Sequence, residues 1–174
     1  MYPNFKNDER VIICLYVNDI LIFGICIDID SRTKLFRGSK FEMKDIGEPT
    51  MILCVRIIRN GDIILLSQEQ YLEKLLRKFG YYDFKPMSTS YDANSKLMKN
   101  RREFFSQPYY AHIIGSLLHL MSFSRPDITY VIGRLSRCIK FPNQEHWDAL
   151  VRLMRYLRGS MDYAVEYSVF PVVL

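Results

Sequence analysis

Between Val11 and Gly24 the chain runs Val-Ile-Ile-Cys-Leu-Tyr-Val, breaks at Asn18-Asp19, and resumes as Ile-Leu-Ile-Phe. Short apolar runs rich in β-branched and aromatic residues predict buried strands, and a two-residue polar break between them predicts a tight hairpin turn. Asn tolerates positive φ, so the turn is sterically accessible without glycine. The hairpin lifts the Asp19 carboxylate to the tip of an apolar ribbon. On these residues alone an ordinary structural hairpin accounts for the stretch. A membrane span does not: it needs about 20 apolar residues, and Asn18-Asp19 would sit at its centre, where a charge costs about 3 kcal/mol.

The pattern after the hairpin alternates between the two periods. Asp28 to Arg37 reads as a short helix closed near Gly38, and Phe41 to Ile46 as an alternating strand ended by Gly47-Glu48-Pro49. Met51 to Ile58 and Ile63 to Leu66 predict a second hairpin turned at Asn60-Gly61. Ser67-Gln68-Glu69-Gln70 has the form of a capping box, opening a helix that runs to Phe79 and ends at Gly80. Its apolar face is Tyr71, Leu72, Leu75, Leu76 and Phe79.

Residues 81–107 lose periodicity and collect Pro, Ser, Asn and Lys, as expected of a long connector. Three helices are expected beyond it. The first spans Tyr109 to Phe123, with Tyr109, Ile113, Leu117, Leu120 and Met121 on its apolar arc. Ser124-Arg125-Pro126-Asp127 then ends one helix and caps the next, with Ser124 as the cap and Pro126 in the first turn. That helix buries Ile128, Val131, Ile132, Leu135 and Ile139. Pro142-Asn143 opens the third, which buries Trp147, Leu150, Val151, Met154 and Leu157 and stops at Gly159. The expected fold is α+β, an antiparallel sheet followed by a helical lobe, divided into 10–66, 67–107 and 108–174.

Composition changes this picture little. The chain has 174 residues, about half of them apolar, enough for a globular fold with a real core. Residues 1–10 are polar and read as frayed or cut from something longer, with no charged leader ahead of the first apolar run and so no secretory signal. Cys14, Cys26, Cys54 and Cys138 show no paired spacing and lie in apolar runs, which predicts reduced core cysteines in an intracellular protein of cytoplasm or nucleus. His112 and His119 lie seven residues apart, about 10 Å of helical rise, too far to share one ion without ligands from other helices.

Charge placement adds a direction. Residues 1–66 carry nine basic and nine acidic residues, whereas residues 67–174 carry fifteen against ten, so the net +5 belongs to the second half. A polyanion suits that half. Lys96, Lys99, Arg101 and Arg102 in the connector, and Arg152 and Arg155 beside Asp148 on the last helix, are the candidate phosphate contacts. A solvated loop and a dipole-matched helix face account for the same residues.

Read in order, the motifs resemble one family. Leu15-Tyr16-Val17-Asn18-Asp19-Ile20-Leu21-Ile22-Phe23-Gly24, Phe41-Glu42-Met43-Lys44-Asp45-Ile46-Gly47-Glu48 and Leu66-Ser67-Gln68-Glu69-Gln70-Tyr71-Leu72 are similar to copia-type retrotransposon reverse transcriptase, an RNA-directed DNA polymerase. So are Ile114-Gly115-Ser116-Leu117-Leu118, Arg125-Pro126-Asp127-Ile128 and Arg155-Tyr156-Leu157-Arg158-Gly159-Ser160. The resemblance implies a partial polymerase palm over 10–66, with a Tyr-x-Asp-Asp-like hairpin. It implies a first thumb helix and connector over 67–107, and a helical thumb/connection lobe over 108–174. An RNA/DNA primer-template is the implied partner, with no membrane, alongside the polymerase and ribonuclease H portions that the family carries elsewhere.

The departures from the family bear on chemistry. Its polymerase site uses three aspartates, two at this hairpin and one on an earlier palm strand. Here the hairpin reads Tyr16-Val17-Asn18-Asp19, so Asn18 stands in place of an aspartate, and the earlier strand and the fingers are expected to be missing. Cys54 stands where a glycine is usual, and His119 where tyrosine is usual. The resemblance implies Mg²⁺ at Asp19. Two such ions about 3.5–4 Å apart activate the primer hydroxyl and brace the leaving group, and they demand carboxylate and phosphate oxygens in near-octahedral array. An asparagine oxygen brings no negative charge to that array. The expectation is a truncated reverse transcriptase domain that does not polymerise; the alternative is a non-catalytic nucleic-acid-binding or protein-interaction module derived from a transposable element.

Overall fold

The computed structural model describes residues 11–24, 26–93, 95, 97 and 106–168. It is α+β, with two antiparallel sheets and five α-helices among the described residues. The chain divides into two compact units, Met1–Glu48 and Pro49–Leu174. The strands after Pro49 lie in the second unit with the helices.

In the first unit, β1 (Val11–Tyr16) and β2 (Asp19–Gly24) pair antiparallel, from Val11 opposite Gly24 to Tyr16 opposite Asp19. That register makes Val17-Asn18 the turn, one residue earlier than expected. The positive φ falls on Val17, at 50°, and not on Asn18, the sign pattern of a type II′ turn. Helix α1 (Ile27–Gly38) follows, with Asp28 and Asp30 in its first turn, where the helix dipole favours negative charge. It buries no residue, and Ile27, Leu35 and Phe36 are exposed. The strand expected at 41–46 does not form. Among the described residues its alternation has no neighbouring strand to pair with, and Phe41 and Ile46 stay exposed. Asp45 instead takes the Lys34 ammonium at 2.9 Å and the Gly47 amide at 2.9 Å. The Lys34 hydrogen bond holds the Asp45 carboxyl below the ordinary carboxylate range.

The second unit opens with a sheet in the order β3 (Met51–Ile52), β4 (Val55–Asn60), β5 (Ile63–Ser67) and β6 (Ala164–Tyr167). The run read as one strand from Met51 to Ile58 is two strands, folded at Leu53-Cys54 with Ile52 opposite Val55. Both turn residues have positive φ, 51° and 63°, as a type I′ turn requires. The next turn is Gly61-Asp62, set by Asn60 opposite Ile63, with Gly61 supplying the positive φ that an Asn60-Gly61 turn would share with asparagine. Strand β6, absent from the sequence-based expectation, returns from the last helix to pair with β5, with Ser67 opposite Ala164.

Cys54 carries a side chain where the backbone favours glycine, and the left-handed region costs an L-residue about 1–2 kcal/mol. Its side chain is exposed, so deleting it removes no packing. Cys54→Gly is expected to raise stability by about 1 kcal/mol after the extra chain entropy of glycine is set against the relieved strain. Urea denaturation would reveal this, and an unchanged or lowered midpoint would refute it.

Helix α2 (Glu69–Lys78) closes as expected: Gly80, at φ 77°, lets the Tyr81 amide reach the Leu76 carbonyl at 2.8 Å. Its start differs from the expected capping box. Ser67 Oγ accepts from the Glu69 amide, two residues on, and Gln68 turns its side chain into the interior. Helices α3 (Gln107–Phe123), α4 (Thr129–Leu135) and α5 (Gln144–Gly159) complete the core with α2. Leu76, Ile113, Leu117, Ile132, Leu150 and Leu157 have no exposed surface, so the centres of the apolar arcs read from the sequence face inward, whereas Met121, Ile139 and Val151 are half-buried at their margins and Tyr109 is exposed. Trp147 lies at the margin of this core, half-buried and stacked on Tyr109 at 5.9 Å, while Leu153 takes the interior position on α5.

Of three further expectations, two are corrected and one is met. Ser124 does not cap α4; its hydroxyl donates to Gln68 Oε1 at 2.8 Å, and a 3-10 turn, Pro126–Ile128, leads into the helix. Asn143 does cap α5, accepting the His146 amide while His146 Nδ1 accepts the Asn143 amide, both at 3.0 Å. The cysteines are free but not core residues: Cys14, Cys26 and Cys54 are exposed and Cys138 is half-buried. Among the described residues no helix is long and apolar enough to cross a membrane.

Candidate functional site

The hairpin tip follows from the β1–β2 register. Asp19 is the first residue of β2, opposite Tyr16, and Asn18 is the second residue of the turn. Both are exposed. Val17 is a β-branched residue at positive φ and is 89% exposed, so its side chain gains no burial in return for the strain. Such a conformation costs about 1–3 kcal/mol, and the tight turn between β1 and β2 imposes it. Among the described residues no group of three or more His, Cys, Asp or Glu side chains is arranged to hold a metal ion. At the tip itself the donors are one carboxylate and one neutral amide. That set does not fit two divalent cations, which bring four positive charges to be balanced.

The expected phosphate contacts divide. Lys96, Lys99, Arg101 and Arg102 lie outside the described residues. Arg152 and Arg155 project from α5 onto the segment that crosses it. Arg152 donates to Thr89 Oγ1 at 2.7 Å and lies 3.8 Å from the Asp92 carboxylate. Arg155 donates to the Lys85 carbonyl at 2.7 Å, and its own carbonyl accepts the Met87 amide at 3.2 Å. Beside this strap opens a cavity of about 680 Å³ whose lining includes Tyr91, Asp92, Glu145, Asp148 and Arg152, a set of mixed sign.

The structure adds two features that sequence reasoning missed. The first is a charged node at the end of α5. The Arg125 guanidinium is buried and forks onto Asp127, with Nε to Oδ1 at 2.9 Å and Nη2 to Oδ2 at 2.7 Å. It also donates to the Ser160 carbonyl and hydroxyl at 2.8 and 2.7 Å, and Tyr156 donates to Asp127 at 2.7 Å. Burial works to raise the Asp127 carboxyl, but the hydrogen bonds from Arg125 and Tyr156 outweigh it and hold the group below its ordinary range. The Arg-Pro-Asp spacing is visible in the sequence; Ser160 and Tyr156, more than twenty-eight positions away, are not.

The second is the face shared by α2 and α3. Lys74 and Lys78 stand one turn apart on α2, and Lys78 Nζ lies 3.0 Å from His112 Nε2 on α3. Next to them Tyr71 donates to the Ser116 carbonyl at 3.1 Å, and His119 packs between Tyr71 and Phe123, with Gln68 Nε2 3.4 Å from its Nδ1. The histidines thus serve separate neighbours, one on the surface and one under it. The available sequence signal is the pair of lysines four apart beside a helix, 107–123, that contains no Asp, Glu, Lys or Arg.

Residues 1–92, just over half of the chain, match the family described as "Reverse transcriptase (RNA-dependent DNA polymerase)". The chain belongs to this family. It is 33% identical over 168 residues, 91% of its length, to the retrovirus-related Pol polyprotein from transposon TNT 1-94 of Nicotiana tabacum. It is likewise 33% identical over 161 residues, 92% of its length, to the corresponding polyprotein from transposon RE1 of Arabidopsis thaliana. An uncharacterised mitochondrial protein of Arabidopsis thaliana is 30% identical over 147 residues, 84% of this chain and 61% of that protein. The chain spans only 13% and 11% of the two polyproteins. It corresponds to the reverse transcriptase region of copia-type retrotransposon polyproteins, as the ordered motifs imply. No solved structure is a significant match to it.

Proposed function

We propose that this chain is a nucleic-acid-holding portion of a copia-type reverse transcriptase that does not polymerise through its own hairpin. In this reading 10–66 is palm, 67–107 the first thumb helix with its connector, and 108–174 the thumb/connection lobe. The basic excess of 67–174 lies on an RNA/DNA primer-template. One observation carries the catalytic half of the reading. The hairpin tip offers Asp19 and the neutral Asn18, where two-metal transfer needs clustered carboxylates. Mg²⁺ and the primer-template are what the family relationship supports.

The test is primer extension on an RNA template by the purified chain, with Mg²⁺ and separately with Mn²⁺. No product above a no-protein control is expected. Metal-dependent extension would overturn the reading.

A further inference from the structure

The segment from Tyr82 to Thr89 crosses α5, and Arg152, Arg155 and Arg158 of that helix hold it there. Arg158 Nε donates to the Tyr82 carbonyl at 2.6 Å, and Arg155 Nε to the Lys85 carbonyl at 2.7 Å. Arg152 Nη2 donates to the Thr89 hydroxyl at 2.7 Å. Positions three apart are neighbours on one helix face, so the row meets successive points of the crossing chain. The crossing is close: a side chain at Gly159 would put its Cβ 2.9 Å from Pro86 Cβ. Two of these arginine contacts end on backbone. The other ends on a side-chain hydroxyl, which covalent chemistry can change.

The fork of Arg152 is only half used. A guanidinium offers Nε and Nη2 along one edge, and a pair of anionic oxygens fills that edge best. Arg125 has the filled form, with Nε and Nη2 on the two oxygens of Asp127 at 2.9 and 2.7 Å. On Arg152 the same edge meets a neutral hydroxyl at Nη2, and Nε is buried with no hydrogen-bond partner among the described residues. Nearby carboxylates do not complete it. Asp92 lies 3.8 Å from Nη1, beyond hydrogen-bond reach. Asp148, one turn back on α5, accepts from Gln144 at 2.7 Å. An oxyanion at Thr89 is the acceptor that this edge lacks.

The sequence singles out the same hydroxyl. Ser88, Thr89 and Ser90 are consecutive in a segment without helix or strand, and Thr89 is exposed. Of the three, only Thr89 has a carboxylate three residues on, Asp92, the spacing that acidophilic protein kinases read. The cavity of about 680 Å³ beside the crossing is lined in part by Ser90, Arg152 and Arg155, which gives a phosphoryl group room and two guanidinium neighbours.

We propose that Thr89 is a phosphorylation site whose phosphate is captured by Arg152, fastening the segment to α5. Thr89 Oγ attacks the γ-phosphorus of ATP held by a protein kinase. The Oγ–P bond forms as the bond from that phosphorus to the β-phosphate oxygen breaks; ADP leaves, and the hydroxyl proton passes to a base of the kinase. The product carries nearly two negative charges and three strong acceptor oxygens, enough for Nε and Nη2 together. Asp92, Glu145 and Asp148 also line the cavity and repel a phosphate. Capture therefore depends on the fork of Arg152 and not on a general positive field. The site is independent of the proposed function, since it concerns how the chain is fastened and not what it holds.

The experiment treats the full chain with ATP and an acidophilic serine/threonine kinase of the casein-kinase type. Mass spectrometry maps the phosphate, and phosphorus NMR follows its titration. Phosphate is expected on Thr89, absent from that position in Thr89→Val and sharply reduced there in Asp92→Asn. A phosphothreonine free of partners titrates near about pH 6. In the folded chain the midpoint should lie about one pH unit below that of the same chain unfolded in urea, because the guanidinium favours the dianion. Arg152→Gln should abolish that difference, whereas Arg158→Gln, at the far end of the crossing, should keep it. Circular dichroism melts report whether each variant is folded. Phosphate confined to Ser88 or Ser90, or missing from Thr89, overturns the site. A phosphate on Thr89 that titrates alike in the folded and unfolded chain, or alike in the parent and Arg152→Gln, overturns the capture.

Discussion

Asp127→Ala should destabilise the second unit by about 3 kcal/mol, the low end of the range for removing one partner of a buried ion pair. The reason is an asymmetry in the pair. The Arg125 side chain is 2% exposed, whereas Asp127 is 34% exposed. Removing the carboxylate leaves a guanidinium inside the protein with only Ser160, among the described residues, as its remaining hydrogen-bond partner, and a buried charge without a counter-charge is costly. Removing the guanidinium leaves a carboxylate that water can reach and that Tyr156 still serves. Arg125→Met should therefore cost less than Asp127→Ala, although it deletes more hydrogen bonds. Trp147, the only tryptophan in the chain, lies against the helical core and gives a fluorescence signal for urea unfolding. A larger loss for Arg125→Met than for Asp127→Ala would refute the asymmetry. The pH dependence has a definite sign. Because the folded carboxyl titrates below its ordinary range, its contribution is complete above about pH 4 and is lost as pH falls through the folded value. The stability gap between parent and Asp127→Ala should narrow on acidification.

Elements are legible in this sequence where a local signal suffices. The apolar arcs of α2, α3 and α5 face the core because a period of 3.6 leaves one face apolar whatever the partner is. The turns fall one residue away from the expected positions for a local reason too: asparagine's tolerance of positive φ points to Asn18 and Asn60, but the backbone puts that conformation on Val17 and Gly61. Alternation over 41–46 looks like a strand because a period of two is necessary for a half-buried strand without being sufficient; the ladder needs a second strand. β6 is invisible for the opposite reason. Its four residues, Ala164–Tyr167, are too few to carry a pattern, and only the return of the chain to β5 defines them. Gln68, Ser124 and Ser160 look like caps or helix ends when only their nearest neighbours are considered. They bond instead across 56 and 35 residues, where sequence spacing carries no information. The hairpin tip is legible as a site because its residues are contiguous. The face shared by α2 and α3 is assembled from two helices, and only the absence of charge from 107–123 hints at it.

Asn18→Asp should not confer polymerase activity on the chain by itself, although it rewrites the tip as Tyr-Val-Asp-Asp. The substitution places a second carboxylate beside Asp19 at one exposed turn. Two carboxylates with no ion fixed between them repel, so the immediate consequence is like-charge strain at a turn already strained by the positive φ of Val17. Two-metal transfer needs the ions bridged from a second strand as well, and among the described residues no third acidic group joins the tip. The residue at 18 becomes decisive only when that strand is present. The experiment is a two-by-two comparison, with and without the upstream polymerase residues of the tobacco polyprotein relative, and with Asn or Asp at 18. With the upstream residues in place, Asp at 18 should raise Mg²⁺-dependent extension by more than about a hundredfold over Asn, since loss of an outer-sphere partner alone already costs 10–100-fold at metal sites. Without them, neither residue should give product. Extension by the Asn18→Asp chain alone would show that the tip assembles a competent metal site from its own two residues. Equal extension by Asn and Asp in the chain carrying the upstream residues would show that the charge at 18 is dispensable. Either result would overturn the two-metal reading of the hairpin.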